Sequence, residues 1–139
     1  MSSSAHLSRE LHKLIKSIGE TRSKQEEDKI IAIDVQKLKK VLASKKNIKP
    51  KKMKEYLIRA IYIEMLGHDA GFAHIRAVNL TQAKKKKYKA MGYLAASLFL
   101  TADSPMNLLL VATLQKDLAS KDPSEVLMAL TTVAKVVTA

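Results

Sequence analysis

Apolar residues recur along this chain at intervals of three and four positions, which is the spacing of a helix that buries one face. Leu7, Leu11, Leu14 and Ile18 form one such stripe, so residues 5–17 are predicted to form the first helix and Gly19 to end it. No segment shows the sustained apolar–polar alternation of a strand. The pattern therefore predicts an all-α protein.

Capping residues predict where the next helices begin. Ser23 and Glu26 have the spacing of a capping box, in which each side chain accepts a hydrogen bond from the other residue's amide. Pro50 is expected to open a third helix that stops at Gly67. The residues predicted to face inward from these two helices are Ile31, Val35, Leu38, Leu42, Leu57, Ile58, Ile61, Tyr62 and Met65.

Four more helices are predicted in the second half of the chain. Asp69 is expected to cap the fourth, the lysine run at 84–87 separates the fourth from the fifth, and Asp122 caps the seventh. The sixth begins at residues 104–105 and is apolar nearly all round, so it is expected to be central. The predicted inward residues are Phe72, Ile75, Val78, Met91, Leu94, Ala95, Leu98, Val126, Leu130, Val133 and Val137.

Seven helices joined by tight turns favour an armadillo/HEAT-like α-solenoid over a closed bundle. We expect residues 1–139 to form a single domain. The chain stops inside an apolar helix, at residues 134–139, without a polar capping repeat. This ending predicts a solenoid that is truncated at its C-terminal end.

Composition narrows the class of protein. A hydrophobic content of 47% is too high for a disordered polar chain, and the absence of cysteine excludes disulfides and thiolate metal sites. The N-terminus lacks the apolar stretch of a signal peptide, and no apolar run approaches the ~20 residues of a membrane span. We expect a cytoplasmic protein without a cofactor.

Charge is distributed unevenly along the chain. Residues 1–90 contain 22 lysines and arginines against 9 acidic residues, whereas residues 91–139 contain 3 against 4. This asymmetry predicts an anionic partner for the first part: phosphoinositide headgroups, nucleic acid or an acidic protein surface. The alternative is that the lysines only decorate solvated helix faces.

No group of residues predicts catalysis or metal binding. His68 and His74 are six positions apart, which does not place them on one helical face, and no carboxylate cluster accompanies them. His68 is interpreted as a turn residue beside Gly67. No nucleophile, base and oxyanion donor come together in the pattern, so the protein is predicted not to be an enzyme.

Several ordered blocks of the sequence resemble the N-terminal trunk of adaptin large subunits. The resemblance covers nearly the whole chain from Leu7 and is strongest for the epsilon subunit of the fourth adaptor-protein complex, with the gamma and alpha subunits of the first and second complexes next. The blocks that carry it are residues 16–28, 52–59, 62–70, 92–100, 114–118 and 125–130.

The resemblance implies a non-catalytic subunit of a vesicle-coat adaptor complex that acts in intracellular protein transport and cargo sorting. Its partners would be a beta-type large subunit, a medium subunit and a small sigma-type subunit, together with an Arf-family GTPase. It would lie peripherally on anionic trans-Golgi network or endosomal membranes. The alternative function is a basic helical-repeat module that binds nucleic acid, although such modules usually add aromatic stacking or arginine readout.

Two candidate sites follow from the resemblance. Arg9, Lys51, Lys52 and Lys54 match the region of the basic phosphoinositide site of the alpha subunit. Ile75, Val78 and Leu109 fall where the gamma subunit contacts an Arf-type GTPase. The competing interpretations are a solvated lysine face for the first set and ordinary core packing for the second.

Overall fold

The computed structural model describes residues 8–44, 46–101 and 104–138, and within these residues every regular element is helical. A 3₁₀ turn, Gly71–Ala73, leads into the fourth α-helix. The prediction of an all-α chain with seven helices is confirmed. The helices are α1 Arg9–Gly19, α2 Lys24–Ser44, α3 Pro50–Met65, α4 His74–Leu80, α5 Lys86–Phe99, α6 Asn107–Leu118 and α7 Pro123–Thr138.

Side-chain caps mark the starts of α1 and α2. The Ser8 hydroxyl accepts a hydrogen bond from the Leu11 amide at 3.1 Å and caps α1, while the predicted start at residue 5 lies outside the described residues. Ser23 accepts from the Glu26 amide at 3.2 Å, as expected. The Glu26 carboxylate, however, accepts from the Arg22 amide at 3.0 Å and not from that of Ser23. The predicted capping box is therefore correct in one of its two bonds.

The end of α3 is a turn that requires glycine. Gly67 has a φ of +91°, which residues with a side chain rarely adopt. The amide of His68 donates to the Ile63 carbonyl at 3.2 Å and that of Gly67 to the Glu64 carbonyl at 3.0 Å. These two bonds form a Schellman motif, which confirms that α3 stops at Gly67 and that His68 is a turn residue.

The helices pack in chain order. α1 packs on α2 and α2 on α3, while α3 packs on both α4 and α5. α5 also packs on α4 and α7, and α6 packs on α7. This succession of neighbouring layers is the arrangement of an α-solenoid. One continuous core runs through it, and its largest fully buried side chains are Ile31, Leu38, Leu57, Ile63, Leu110, Val78 and Thr81.

α4 and α5 are in close backbone contact at Gly92. A Cβ atom at this position would lie 2.5 Å from the Thr81 nitrogen and 2.7 Å from the Leu80 carbonyl carbon. Both of these atoms belong to the backbone and cannot rotate away. Only glycine therefore permits the two helices to approach this closely.

The sequence prediction was wrong about several inward faces. Met65 is 78% exposed, and Leu94, Leu98 and Leu130 are also exposed. The neighbouring helices contact faces that carry small residues instead, because alanine allows close approach. Ala95 is buried as predicted, and the residues that replace the exposed ones in the core include Ile63, Ala96 and Ala129.

Helix α6 is not central. Leu108 is 83% exposed, and Leu109, Val111 and Leu118 are also exposed, because α7 is the main neighbour of α6. Because apolar residues surround α6, the sequence predicted that all of its sides would be buried. In the structure, only the side that contains Leu110 and Leu114 is buried. Val137 was also predicted to face inward, but its side chain lies outside what the structure describes.

Candidate functional site

A basic groove lies where the start of α1 meets α2 and α3. Arg9 comes from the first turn of α1, Lys37 and Lys40 from α2, and Lys52 from the first turn of α3. Tyr56, one helical turn after Lys52, contributes an aromatic surface to the lining. The structure therefore places Arg9 and Lys52 in the lining of one groove and adds Lys37 and Lys40 from α2.

A second groove adjoins the first around the start of α3. Lys49, Lys51 and Lys52 line it, and it shares Lys52, Glu55 and Tyr56 with the basic groove. Lys54 is half-buried and lines neither groove. Three of the four predicted cations, Arg9, Lys51 and Lys52, thus line these two adjoining grooves, and Lys54 does not.

Glu55 is the acidic residue shared by both grooves. Its carboxylate accepts a hydrogen bond from the Lys52 ammonium at 3.2 Å, and the Lys52 side chain is 63% exposed. Exposed ion pairs of this kind contribute little to stability because solvent screens them. Glu55 therefore acts mainly as an internal anion that competes with any ligand for Lys52.

The wall of the basic groove is held by a buried ion pair. The Arg59 guanidinium donates to the Asp34 carboxylate at 2.9 Å and joins α3 to α2. The two side chains are only 8% and 15% exposed. Because its charge is already paired, Arg59 positions the groove and does not add a free cation to it.

The apolar candidates differ in exposure. Ile75 is 46% exposed and Leu109 is 37% exposed, so both can contact a partner. Val78 is completely buried in the core. The structure therefore removes Val78 from the predicted contact patch, because it lies on the side of α4 that packs against the interior.

A buried polar cluster joins the end of α4 to α5, α6 and α7. The Lys89 ammonium donates to Asp117 Oδ2 and to the Thr81 carbonyl, both at 2.7 Å, and lies 3.8 Å from Glu125. The Tyr93 hydroxyl also donates to Asp117. Burial, together with this hydrogen bond, raises the pKa of Tyr93 well above its usual range.

Sequence reasoning missed this cluster. Lys89 follows a lysine run that looks solvated, and its partner lies 28 positions later in the chain. The available signal was Asp117, a carboxylate in an otherwise apolar helix, since such a group needs a partner when it is buried. The cluster is filled by its own members, so it stabilises the fold and presents no open site.

The histidines take part in structural contacts. His68 Nε2 lies 3.2 Å from Asp28 Oδ1, which joins the turn after α3 to α2. His74 Nδ1 lies 3.0 Å from the Ser104 hydroxyl, and burial lowers the pKa of His74. In the described parts of the chain, no three histidine and acidic side chains are grouped as metal ligands would be. Nor is any helix there both long and apolar enough to cross a bilayer.

Comparison with known proteins gives the same assignment as the sequence resemblance. Residues 31–139 match the model of the adaptin N-terminal region. The AP-4 complex subunit epsilon of Arabidopsis thaliana is 47% identical over 130 residues, which is 94% of this chain and 14% of that protein. The human AP-4 complex subunit epsilon-1 is 42% identical over 132 residues, or 95% of this chain and 12% of that protein.

An AP-2 alpha subunit is a more distant relative. The AP-2 complex subunit alpha-2 of Dictyostelium discoideum is 27% identical over 113 residues, 81% of this chain and 11% of that protein. The chain thus spans between 11% and 14% of the length of these three relatives. All three are named as subunits of adaptor complexes. The chain belongs to the adaptin N-terminal region family.

Proposed function

We propose that this chain is the N-terminal trunk region of an epsilon-type large subunit of an adaptor complex. It acts as a non-catalytic scaffold in vesicle-mediated protein transport. The observation that carries the proposal is the identity of 41% to 47% to AP-4 epsilon subunits of a plant, two mammals and an amoeba, extending over at least 88% of the chain. A succession of helical layers suits this role because it offers an extended surface to several partners.

Co-purification from the native source tests the proposal. We expect a small sigma-type subunit to elute with the tagged chain, together with beta-type and medium subunits. Elution with RNA and without adaptor subunits would instead support the nucleic-acid module. The basic groove has a single aromatic residue in its lining, Tyr56, which disfavours that alternative because single-stranded binding sites stack successive bases on several rings.

The basic groove is proposed to bind anionic lipid headgroups, with Arg9, Lys52, Lys37 and Lys40 as its cations and Lys51 beside it. Near an anionic membrane each lysine or arginine contributes about 1 kcal/mol. Such contacts would place the protein peripherally on trans-Golgi network or endosomal membranes. Fluorescence microscopy of the tagged chain with compartment markers tests this location.

Vesicle co-sedimentation tests the lipid site. Substitution of both Arg9 and Lys52 by glutamate should abolish binding to phosphoinositide vesicles at physiological salt, as should charge reversal of Lys51 and Lys52. Lys54→Glu is the matched control, because Lys54 lines neither groove. Equal losses for Lys54→Glu and for the groove variants would contradict a defined site and indicate a diffuse charge effect.

Ile75 and Leu109 are proposed as the apolar contacts for an Arf-type GTPase. Both side chains are exposed, Ile75 on α4 and Leu109 on α6, so a partner can reach them. Ile75→Asp should reduce capture by GTP-loaded Arf, whereas Leu127→Asp, an exposed change on α7, should not. Capture that is insensitive to Ile75→Asp would refute the contact.

A further inference from the structure

The connections between helices alternate between two edges of the solenoid. The connections α2–α3, α4–α5 and α6–α7 follow one another along one edge. The first two adjoin, because residues 46–50 and Gln82 line the same groove. The second and third adjoin, because Lys86 in the first turn of α5 contacts Asp122 at 2.8 Å. Three successive connections therefore form one continuous surface.

The two edges differ in charge. The edge just described is termed the basic edge, and its connections (residues 46–49, 81–85 and 119–122) contain one acid, Asp122, and five exposed lysines: Lys46, Lys49, Lys84, Lys85 and Lys121. On the opposite edge, the described residues of 20–23, 66–73 and 100–106 contain two acids, Glu20 and Asp69, and one arginine, Arg22. Positive charge is thus concentrated at one set of helix ends.

Three lysines of the basic edge lie outside the two grooves of the proposed lipid site. Lys84, Lys85 and Lys121 are exposed, and no acid among the described residues forms an ion pair with them. Asp122 is already bound by Lys86. The lysine run at 84–87 therefore has a divided role: Lys86 holds α5 to the start of α7, and the charges of Lys84 and Lys85 are directed at solvent.

The form of the basic edge favours a flat anionic surface. Its lysines come from three successive connections and not from the walls of one groove, so a bilayer can meet all of them at once. Within residues 46–49, 81–85 and 119–122 there is no arginine for base readout and no aromatic ring for base stacking, and Tyr88, which follows the lysine run, is buried. These features favour a lipid surface over a nucleic acid.

We propose that the basic edge lies against the headgroups of an anionic membrane, with Lys84, Lys85 and Lys121 as contacts beyond the grooves. The inference rests on the proposed membrane role and extends it, because it assigns further cations and an orientation in which these helix ends point toward the bilayer. Phosphatidylserine is sufficient as the anionic lipid, since lysines near a charged surface respond to its potential and need no shaped pocket. Contacts on one rigid body reinforce one another, because the first holds the others close to the surface.

Vesicle co-sedimentation with the full 139-residue chain tests the basic edge. The probe is phosphatidylcholine vesicles that contain phosphatidylserine and no phosphoinositide, at physiological salt. The combined change of Lys84→Glu, Lys85→Glu and Lys121→Glu should weaken binding by at least about tenfold. Arginine at the same three positions should retain binding because the charge is kept, and a loss in that variant would overturn the inference.

The matched control reverses the same number of exposed charges toward the other end of α2: Arg22→Glu, Lys24→Glu and Lys29→Glu. α2 has 21 residues and is therefore about 30 Å long, whereas charge effects are screened beyond ~8 Å at physiological ionic strength. The control should change vesicle binding by less than about twofold, and an equal loss would overturn a defined edge. The circular dichroism spectrum of each variant verifies that the helices are intact.

The orientation has a test of its own, because the chain contains no cysteine and a dye can be attached at one introduced position. Gln82→Cys places the dye on the basic edge and Glu20→Cys places it on the opposite edge, both at exposed positions. On phosphatidylserine vesicles with a headgroup-attached quencher, the dye at position 82 should be quenched and the dye at position 20 should not. Equal quenching at both positions would overturn the orientation.

The groove and the edge can fail separately. If Arg9→Glu with Lys52→Glu leaves phosphoinositide binding intact while the edge variant loses phosphatidylserine binding, the groove proposal is wrong and the edge stands. Loss in the groove variant with unchanged phosphatidylserine binding by the edge variant would overturn the edge. If the edge variant loses affinity for a labelled single-stranded RNA but not for vesicles, the edge is a nucleic-acid surface and the membrane inference is wrong.

Discussion

The first three helices and the last three differ in where their positively charged side chains lie and in what those side chains contact. Around α1–α3 most cations lie on the surface, where they line grooves. Around α5–α7 two lysines are bound by acids that come later in the chain: Lys86 contacts Asp122 at 2.8 Å and Lys89 contacts Asp117 at 2.7 Å. A lysine-rich sequence therefore indicates a charged surface only where no acid from another helix reaches it.

The same two regions also differ in their apolar surface. Ile15, Ile33 and Met65 are the large exposed hydrophobic residues described on α1–α3. On α5–α7 they are more numerous: Leu94, Leu98, Leu108, Leu109, Val111, Leu118, Leu127 and Leu130. The first region is thus suited to anionic ligands, and the second to apolar contacts with protein surfaces.

Lys89→Met should give the largest effect and sharpen this comparison. It leaves Asp117 buried without its main counter-ion, and such a loss costs about 3 to 5 kcal/mol of unfolding free energy. Urea denaturation measures it. Arg59→Met in the first region should cost less, because Asp34 keeps more contact with water than Asp117 does. Equal losses of unfolding free energy would mean that a buried carboxylate without its counter-ion is equally unfavourable in both regions.

Gly92→Ala should give the next largest effect. The added methyl group would overlap the backbone of α4, and overpacking of this kind costs about 1 to 3 kcal/mol. Thermal unfolding measures the loss. Gly19→Ala is the matched control in the first region, because no atom lies within 4 Å of a Cβ there. A Gly92→Ala protein as stable as the control would mean that α4 and α5 can move apart without cost.

Glu55→Gln should give a smaller effect with the opposite sign. Removing the anion next to Lys52 should strengthen phosphoinositide-vesicle binding by about two- to fivefold, in line with the energy of an exposed ion pair. Glu20→Gln, an exposed change outside both grooves, should leave vesicle binding unchanged. Weaker binding by Glu55→Gln would show that Glu55 organises the groove and does not compete for its cations.

His74 should add a small dependence on pH in the second region. Burial lowers its pKa below the ordinary value of 6.5, so the unfolded chain takes up the proton first as the pH falls. The contribution of His74 to stability is complete above about pH 6.5 and declines below it until the folded protein is also protonated. Between about pH 7 and pH 5 the melting temperature should fall more steeply in the wild type than in His74→Gln. Parallel curves would exclude this contribution.

Helix ends were predictable because they depend on neighbouring residues. The proline that opens α3, the glycine that ends it and the aspartate that caps α7 all act within a few positions of themselves. Helix faces were less predictable. Leu94 and Leu98 fit an inward stripe with Ala95, but α5 packs against three other helices and buries Tyr93 and Ala96 in place of the two leucines.

The candidate site, like the helix faces, was only partly predictable from the sequence. Arg9 and Lys52 could be grouped only through the family resemblance, because nothing local in the sequence relates the start of α1 to α3. Lys37 and Lys40 are polar positions of α2, and their place in the groove depends on how α1 packs on that helix. Their role could not be read from the sequence of α2 alone.

The packing of α1 on α2 also determines whether the basic groove is complete. α1 packs mainly on α2, so we expect it to detach at a lower free energy than the helices that contact several others and to exchange its amide hydrogens sooner. Because Arg9 enters the groove only when α1 is docked, the apparent dissociation constant equals the intrinsic one divided by the docked fraction. A partner that holds α1 in place would therefore tighten ligand binding without touching the ligand.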